Sequence, residues 1–93
     1  MKAVEFNRSV TPALRGKTKS QRRAIGLAIQ NLQEHFGNPH SHRGLGIRKI
    51  AANYYELRVG LDYRLIFTNE PDFLQFVAEG SHDQIKQFLK KQL

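Results

Sequence analysis

The 93-residue chain contains no cysteine. Disulfide bonds are therefore excluded, and so are zinc sites built on thiolates. A short chain without disulfides must rely on its hydrophobic core, and the 40% of residues that are hydrophobic make such a core possible. The absence of cysteine also suits a reducing cytoplasm. We predict a single domain that spans residues 1–93.

Long apolar runs are missing as well. No window approaches the roughly 18 consecutive apolar residues that a membrane-spanning helix needs. The N-terminal stretch MKAVEFNRSV lacks the apolar region of a signal peptide. Internal repeats and low-complexity segments are also absent. These absences predict a soluble, cytoplasmic protein that does not contact a membrane.

Acidic residues are scarce and unevenly distributed. The chain has 15 Lys and Arg against 8 Asp and Glu, which gives a formal net charge of +7. Residues 1–49 hold ten of the basic and two of the acidic residues, whereas residues 50–93 hold five and six. Such a basic surface indicates a polyanionic partner, most often a nucleic acid, or an acidic protein. A solvated basic surface without such a partner is the alternative.

The hydrophobic pattern predicts an α+β domain with the element order β-α-α-β-β-β-β-α. Two helices begin at capping boxes, Thr18 with Gln21 and Ser81 with Gln84, and the first of them ends near Phe36. The last four strands follow one another through short connections, which predicts a mostly antiparallel sheet with the helices packed on one face. The predicted strands are KAVEF, IRKIAA, the two arms of NYYELRVGLDYRLIF, and FLQFVAE; a brief helix covers residues 9–15, and HSHRGLG is a loop.

Two arginines lie in the hairpin, although strands of this composition are usually half buried. Because side chains alternate between the faces of a strand, Arg58 and Arg64 should project together from the face opposite the helices. Two neighbouring guanidinium groups repel each other unless an anion lies between them, and arginine grips a phosphate through two parallel hydrogen bonds. The alternative is that each arginine pairs with a nearby carboxylate, from Glu56, Asp62 or Glu79.

The hairpin and the segment after it resemble a known family. YYELRVGLDYRLIF, followed by FVAEGSHDQIKQFL, is similar to the RelE/ParE toxin superfamily of bacterial type II toxin–antitoxin systems. The GLGIRKI segment resembles the strand that precedes the hairpin in that family. The resemblance covers essentially the whole chain and is strongest over Tyr55–Phe67 and Gly80–Asp83. It implies the fold of that superfamily.

The resemblance also implies a function. RelE-like members are mRNA endonucleases, many of which act in the ribosomal A site, without a metal or other cofactor, and so inhibit translation. Arg64 matches an arginine that is important to RelE-type activity, and Arg58 matches a basic or histidine position of the same hairpin. His82 and Asp62 match a histidine and an aspartate of the YafQ-type branch. The implied partners are a cognate antitoxin, mRNA and the ribosome.

Metal-independent RNA cleavage makes the 2′-hydroxyl attack the adjacent phosphorus. The step needs a base, stabilisation of the added negative charge, and an acid for the departing 5′-oxygen. Arginine suits the second task because it stays charged at every relevant pH, so we assign it to Arg64, with Arg58 assisting. His82 is the candidate for proton transfer, since imidazole exchanges protons near neutral pH; otherwise it is a polar residue at a helix start. Asp62 orients a base or closes the turn.

Further RNA contacts are predicted on both sides of the hairpin. Candidates for the RNA backbone, or else ordinary solvated charges, are Lys49, Arg48, Arg43 and His42. Tyr54 shares the face of Arg58 and stacks on a base or covers the sheet. Two histidines, His40 and His42, are too few ligands for a metal, so we predict no metal site.

Departures from the family pattern keep other functions open. Some RelE members carry lysines where this chain has Glu56 and Arg58, and a functional tyrosine near the C-terminus, where this chain has none. A ParE-like protein of the same fold would inhibit DNA gyrase without RNA chemistry, and an inactive member would only bind RNA or a partner. The three cationic or titratable residues Arg58, Arg64 and His82 favour the enzyme. The antitoxin is expected to be acidic where it binds, and to wrap the helices or cover the basic face.

Overall fold

The fold combines five strands with four α-helices over residues 2–92, the part of the chain that the computed structural model describes. The strands are β1 (Ala3–Phe6), β2 (Ile47–Ala51), β3 (Tyr54–Val59), β4 (Tyr63–Asn69) and β5 (Phe73–Gly80). The helices are α1 (Thr11–Arg15), α2 (Lys19–His35), α3 (Pro39–His42) and α4 (His82–Gln92), and a 3-10 turn covers Arg43–Leu45. The predicted α+β class is confirmed.

All five strands join one mixed sheet in the order β1-β5-β4-β3-β2. Strands β2 to β5 form the predicted antiparallel meander, while β1 lies parallel to β5 at the edge. A parallel neighbour needs a long connection to reach its partner strand. Here all the helices and strands from α1 to β4 form that connection. The strands β1 and β5 therefore meet only in the folded protein.

Helix α2 forms as its sequence predicts. Thr18 accepts a hydrogen bond from the Gln21 backbone at 3.1 Å, and the Gln21 side chain accepts one from the Thr18 backbone at 2.9 Å. This reciprocal capping satisfies two backbone groups at the helix start. The helix ends where Gly37 takes a φ of 95°, which a residue with a Cβ rarely adopts.

The segment predicted as the loop HSHRGLG contains the single helical turn α3 and the 3-10 turn instead. Pro39 fixes a helical φ at the start of that turn. The His42 ring then folds back, accepting a hydrogen bond from Gly37 N–H at 3.0 Å and stacking on Phe36 with 5.4 Å between centroids. These two contacts order a segment whose composition alone indicated a loop.

One sheet face, the first face, packs against α1 and α2. The apolar alternation of β3 and β4 directs the hairpin side chains Leu57, Leu65 and Phe67 to this face, and all three are fully buried. They pack in one cluster with the α2 stripe of Ile25, Ile29 and Leu32. The prediction that the apolar hairpin residues face the helices is confirmed for these two helices.

The opposite face, the second face, carries the other hairpin side chains and is covered in part by α4. The α4 residue Ile85 is buried, and the ring of Phe88 lies edge-to-face against Tyr54 at 6.4 Å. Its capping box is confirmed, because Ser81 N–H donates to Gln84 Oε1 at 2.8 Å. The last helix therefore packs on the face from which the arginines project, where it contacts β4 and β5.

Candidate functional site

Arg58 and Arg64 share one sheet face, as the alternation predicts, and the strand register places them directly opposite each other on β3 and β4. Their environments differ, however. The Arg58 side chain is exposed, whereas Arg64 is only 8% exposed. The expectation that both project from an open face is therefore wrong for Arg64. Arg64 lies on the second face, in the part of the sheet where α4 contacts β4 and β5.

Glu56 is the carboxylate that pairs with Arg64. Its Oε2 lies 3.5 Å from Arg64 Nε, and its Oε1 lies 3.5 Å from Nη2 of Arg48. Glu56 is 5% exposed, so both oxygens are held within the protein surface. Of the three carboxylates offered above as alternative partners, Glu56 alone forms an ion pair with an arginine among residues 2–92.

A cleft of about 380 Å³ opens beside this ion pair. Its charged lining consists of three arginines and one carboxylate, namely Arg43, Arg48, Arg58 and Glu56. Arg58 forms no ion pair within the described part of the chain. Arg58 N–H instead donates to the Gly46 carbonyl at 2.9 Å, which ties the 3-10 turn carrying Arg43 to strand β3. The cleft has an excess of positive charge and suits an anion.

A second, smaller cleft of about 170 Å³ lies between α4 and the second face. Arg48 and Glu56 line this cleft too, so the two clefts share a wall. His82, the first residue of α4 as predicted, and Lys86 line its polar side. The fold thus brings His82, which is distant in sequence, to the Arg48–Glu56 pair.

Asp62 lies elsewhere. It is exposed in the turn between β3 and β4, and it lines a cleft of about 220 Å³ together with Lys17 and Tyr63. That cleft is formed by the start of α2 and the end of the hairpin. Asp62 is absent from the lining of the two clefts that share Arg48 and Glu56, called the arginine clefts below, so its position suits the alternative interpretation, in which it closes the turn.

Two of the four candidate backbone contacts also lie away from the arginine clefts. The Lys49 ammonium group lies 5.9 Å from the centroid of the Tyr55 ring, and Tyr55 belongs to the first face. His42 uses its ring to close the segment after α2. Tyr54 is on the second face as predicted, but its ring is half-buried against Phe88.

Tyr63 is half-buried, and the pKa of its hydroxyl is shifted. Burial raises the pKa of Tyr63 well above its ordinary value, and the hydrogen bond that Tyr63 donates to Glu79 at 2.9 Å adds to this effect. The Lys17 ammonium group lies 3.7 Å from Glu79 and 4.5 Å from the Tyr63 ring centroid. This cluster joins the start of α2 to the end of the sheet, away from the arginine clefts.

Glu56 was not predicted to be a site residue from the sequence. It was named only as an alternative partner for an arginine. Its signal was present, because alternation places it on the face of Arg58 and strand pairing places Arg48 directly across from it. The depth of its burial depended on α4, which the helical pattern did not position. Lys86 was missed for the same reason.

Neither a metal site nor a membrane span emerges from the described residues. Over residues 2–92, His, Asp and Glu side chains nowhere gather in threes as metal ligands would. No helix within that range combines the length and apolar character needed to cross a bilayer.

Comparisons with solved structures identify several similar folds. A chain of the archaeal RelE–RelB complex from Pyrococcus horikoshii OT3 is 20% identical, with a TM-score of 0.68, over 86% of this chain and 93% of that one. The RelB–RelE antitoxin–toxin complex from Methanococcus jannaschii gives 24% identity, a TM-score of 0.64, and coverage of 89% and 95%. The YoeB–YefM complex from Staphylococcus aureus gives 15%, 0.62, and coverage of 88% and 98%.

Sequence comparisons add no further assignment. No family model matches the chain, and no curated protein sequence matches it. The structural likeness extends over nearly the full length of both chains in each comparison. The architecture that the resemblance implied is therefore the architecture of this chain.

Proposed function

We propose that this chain, which has the fold of the RelE-type toxins, is the toxin of a type II toxin–antitoxin pair and cleaves mRNA without a metal. The observation that carries this proposal is the set of arginines around Glu56 on the second face. Three exposed arginines, Arg43, Arg48 and Arg58, line the larger cleft together with Glu56, and the buried Arg64 is ion-paired to the same carboxylate. A surface with this charge excess is suited to the phosphates of a nucleic acid.

Substrate binding would use the exposed arginines of the larger cleft. Arg43, Arg48 and Arg58 come from the 3-10 turn, β2 and β3, so they lie on connected parts of the fold. Guanidinium groups bind phosphate oxygens in a bidentate manner and fix the position of the strand rather than its sequence. Choice of the cleavage site would then come from the way in which mRNA is presented, and we propose presentation by the ribosome.

Charge stabilisation would fall to Arg58 and Arg64. Attack of the 2′-oxygen on phosphorus adds negative charge to the phosphate oxygens, and a donor held in place stabilises that charge. Arg64 is held by its burial and its ion pair, so little reorganisation accompanies the reaction. Arg58 lies directly across the strand pair and supplies a second positive charge from the cleft.

Proton transfer is assigned to His82. It takes the 2′-hydroxyl proton while the 2′-oxygen bonds to phosphorus, and the bond from phosphorus to the 5′-oxygen breaks. Water supplies the proton to the departing 5′-oxygen, and the resulting hydroxide recovers the proton from His82. The products are a 2′,3′-cyclic phosphate and a 5′-hydroxyl end. This scheme gives no role to three residues that lie away from the arginine clefts, Asp62, Lys49 and His42.

A protein partner is proposed from the similarity to the solved structures. The solved structures named above include a complex described as antitoxin and toxin. We propose that this chain also binds a cognate antitoxin, with an acidic segment that complements the charge of +7. Co-expression with the product of an adjacent acidic reading frame should restore growth. Failure of every such neighbour to bind would contradict the partner assignment.

The test of the enzyme is cleavage mapping in bacteria. Expression of the wild-type chain should arrest growth and create new mRNA ends within translated regions, detected by primer extension. Arg58→Ala and His82→Ala are suitable variants, because both side chains are exposed and their loss should not unfold the protein. We expect each to reduce cleavage by about 10²-fold or more. Arg23→Ala, an exposed arginine on α2, is the matched control and should cleave normally.

Other outcomes assign the other functions. Growth arrest without new mRNA ends, accompanied by loss of plasmid supercoiling, would replace the proposal with a ParE-like gyrase inhibitor. Neither arrest nor new ends would indicate a member that only binds RNA or a partner. Equal cleavage by wild type and both site variants would move the active site away from the second face.

A further inference from the structure

Glu56 occupies the centre of the arginine set. It pairs across the sheet with Arg48 on β2 and with Ile66 on β4, and Arg64 lies one diagonal step away. Each of its two oxygens lies 3.5 Å from a different guanidinium group. Glu56 also lines both clefts, so anything bound in either one is close to it.

The two ion pairs of Glu56 are not equivalent. The Arg48 side chain is 66% exposed, so water screens its pairing with Glu56 and the contact contributes little to stability. Arg64, by contrast, is buried, and Glu56 is the only carboxylate within 4.0 Å of it among residues 2–92. A buried guanidinium group requires a compensating charge. Glu56 therefore compensates the charge of Arg64 in the fold.

The contact also bears on which edge of Arg64 can bind an anion. The Glu56 carboxylate faces Nε, and Nε is itself buried without a hydrogen-bond partner in the described chain. A guanidinium group can grip a phosphate through Nε and one terminal nitrogen, or through its two terminal nitrogens. With Glu56 beside Nε, the carboxylate would repel a phosphate from that edge. A ligand would therefore use the two terminal nitrogens.

We propose that Glu56 is a positioning residue, which holds the Nε edge of Arg64 inside the sheet and presents the terminal nitrogens to the scissile phosphate. The inference rests on the proposed function for the identity of the ligand. It assigns Glu56 no contact with RNA and no proton transfer. Its effect on the reaction passes through the orientation of Arg64.

The charge of Glu56 has an opposite effect on binding. A carboxylate in a cleft for phosphate weakens attraction to RNA and competes with it for Arg48. Removing the charge while keeping the side-chain shape should therefore leave KM unchanged or lower it. The same change should reduce kcat, because a misplacement of about 1 Å in a reacting group costs about 10²-fold. A residue with only a structural role would not separate the two constants in this way.

The kinetic test compares Glu56→Gln with wild type on a translated message. We expect kcat to fall by about 10²-fold, with KM equal to or below the wild-type value, and Glu56→Asp to recover part of the loss. Glu79→Gln, which removes a carboxylate that pairs with Lys17 away from the clefts, is the matched control and should retain wild-type kcat. An unchanged kcat in Glu56→Gln, or an equal loss in Glu79→Gln, would overturn the proposal.

A second measurement does not depend on cleavage or on the variant folding. In the wild-type protein, the Arg64 Nε–H resonance is followed by ¹⁵N NMR while inorganic pyrophosphate is added. We expect this proton to exchange slowly and to keep its position, while the terminal nitrogens of Arg64 shift. Direct binding of pyrophosphate at Nε would overturn the proposal. If the wild-type protein cleaves no RNA but the Nε–H behaves as expected, the proposed function fails and the positioning of Arg64 by Glu56 stands.

Discussion

Replacement of Gly80 by alanine should destabilise the protein and disturb the start of α4. Gly80 is the residue opposite Arg64 in the β4–β5 pairing, and it adopts a φ of 146°. A Cβ at this position would lie 2.5 Å from Gln84 Oε1 and 3.0 Å from Gln84 Cβ. The substitution therefore combines an unfavourable backbone conformation with displacement of the side chain that caps α4.

The magnitude follows from these two costs. A residue held at such a φ costs about 1–3 kcal/mol, and loss of a helix cap costs about 1 kcal/mol. We therefore expect the free energy of unfolding to fall by about 2–4 kcal/mol, on the sum of those two costs. For a domain of this size, this corresponds to a drop in Tm of at least roughly 8 °C. Thermal unfolding followed by circular dichroism measures it.

Gly26→Ala provides a control of opposite sign. Gly26 lies in α2, and a Cβ there would meet nothing within 4 Å. Alanine should therefore raise stability by about 0.5–1 kcal/mol through helix propensity. A Gly80→Ala protein with unchanged Tm would refute the close approach of Gly80 to Gln84, and with it the position of α4 on the second face.

Three further predictions concern single groups. The raised pKa of Tyr63 means that its neutral form is favoured in the folded state. Its contribution to stability is full below about pH 10 and is lost as pH rises above that value. Tyr63→Phe should therefore reduce the loss of unfolding free energy at alkaline pH, measured by urea titration. His42→Ala removes the acceptor and the ring stack that close the segment after α2, so we expect a loss of about 1 kcal/mol in chemical denaturation; an unchanged midpoint would contradict those contacts. Arg43→Ala should lower the slope of log binding constant for RNA against log salt concentration by about 0.7. Lys49→Ala should leave this slope unchanged. Equal effects of the two changes, measured by fluorescence anisotropy, would place RNA on both faces.

The local features were predictable because each depends on neighbours in sequence. The capping boxes at Thr18 and Ser81, the end of α2 and the alternation of the hairpin all arise from contacts within a few residues. Such signals can be recognised in a short segment because they depend on side chains and backbone groups a few residues apart. For this reason the shared face of Arg58 and Arg64 could be predicted before the fold was known.

Features that depend on distant packing were not predictable in the same way. The pattern of α4 shows an apolar stripe, but not which sheet face receives it, so the burial of Arg64 was missed. The ring of His42 stacks on Phe36 only because the chain turns back after α2, and this removes a candidate RNA contact. Glu56 was weighed as a partner for arginine, but its central position required the register of β2, β3 and β4 together.

The most direct test of the central claim is the chemistry of the RNA ends that the protein produces. Purified wild-type protein is added to an actively translated message, and the new 5′ ends are examined for direct phosphorylation by polynucleotide kinase. We predict 5′-hydroxyl ends and 2′,3′-cyclic phosphates from the wild type and from Arg23→Ala, and neither product from Arg58→Ala or His82→Ala. Ends that carry a 5′-phosphate, or cleavage that is unchanged in both site variants, would contradict metal-independent catalysis on the second face.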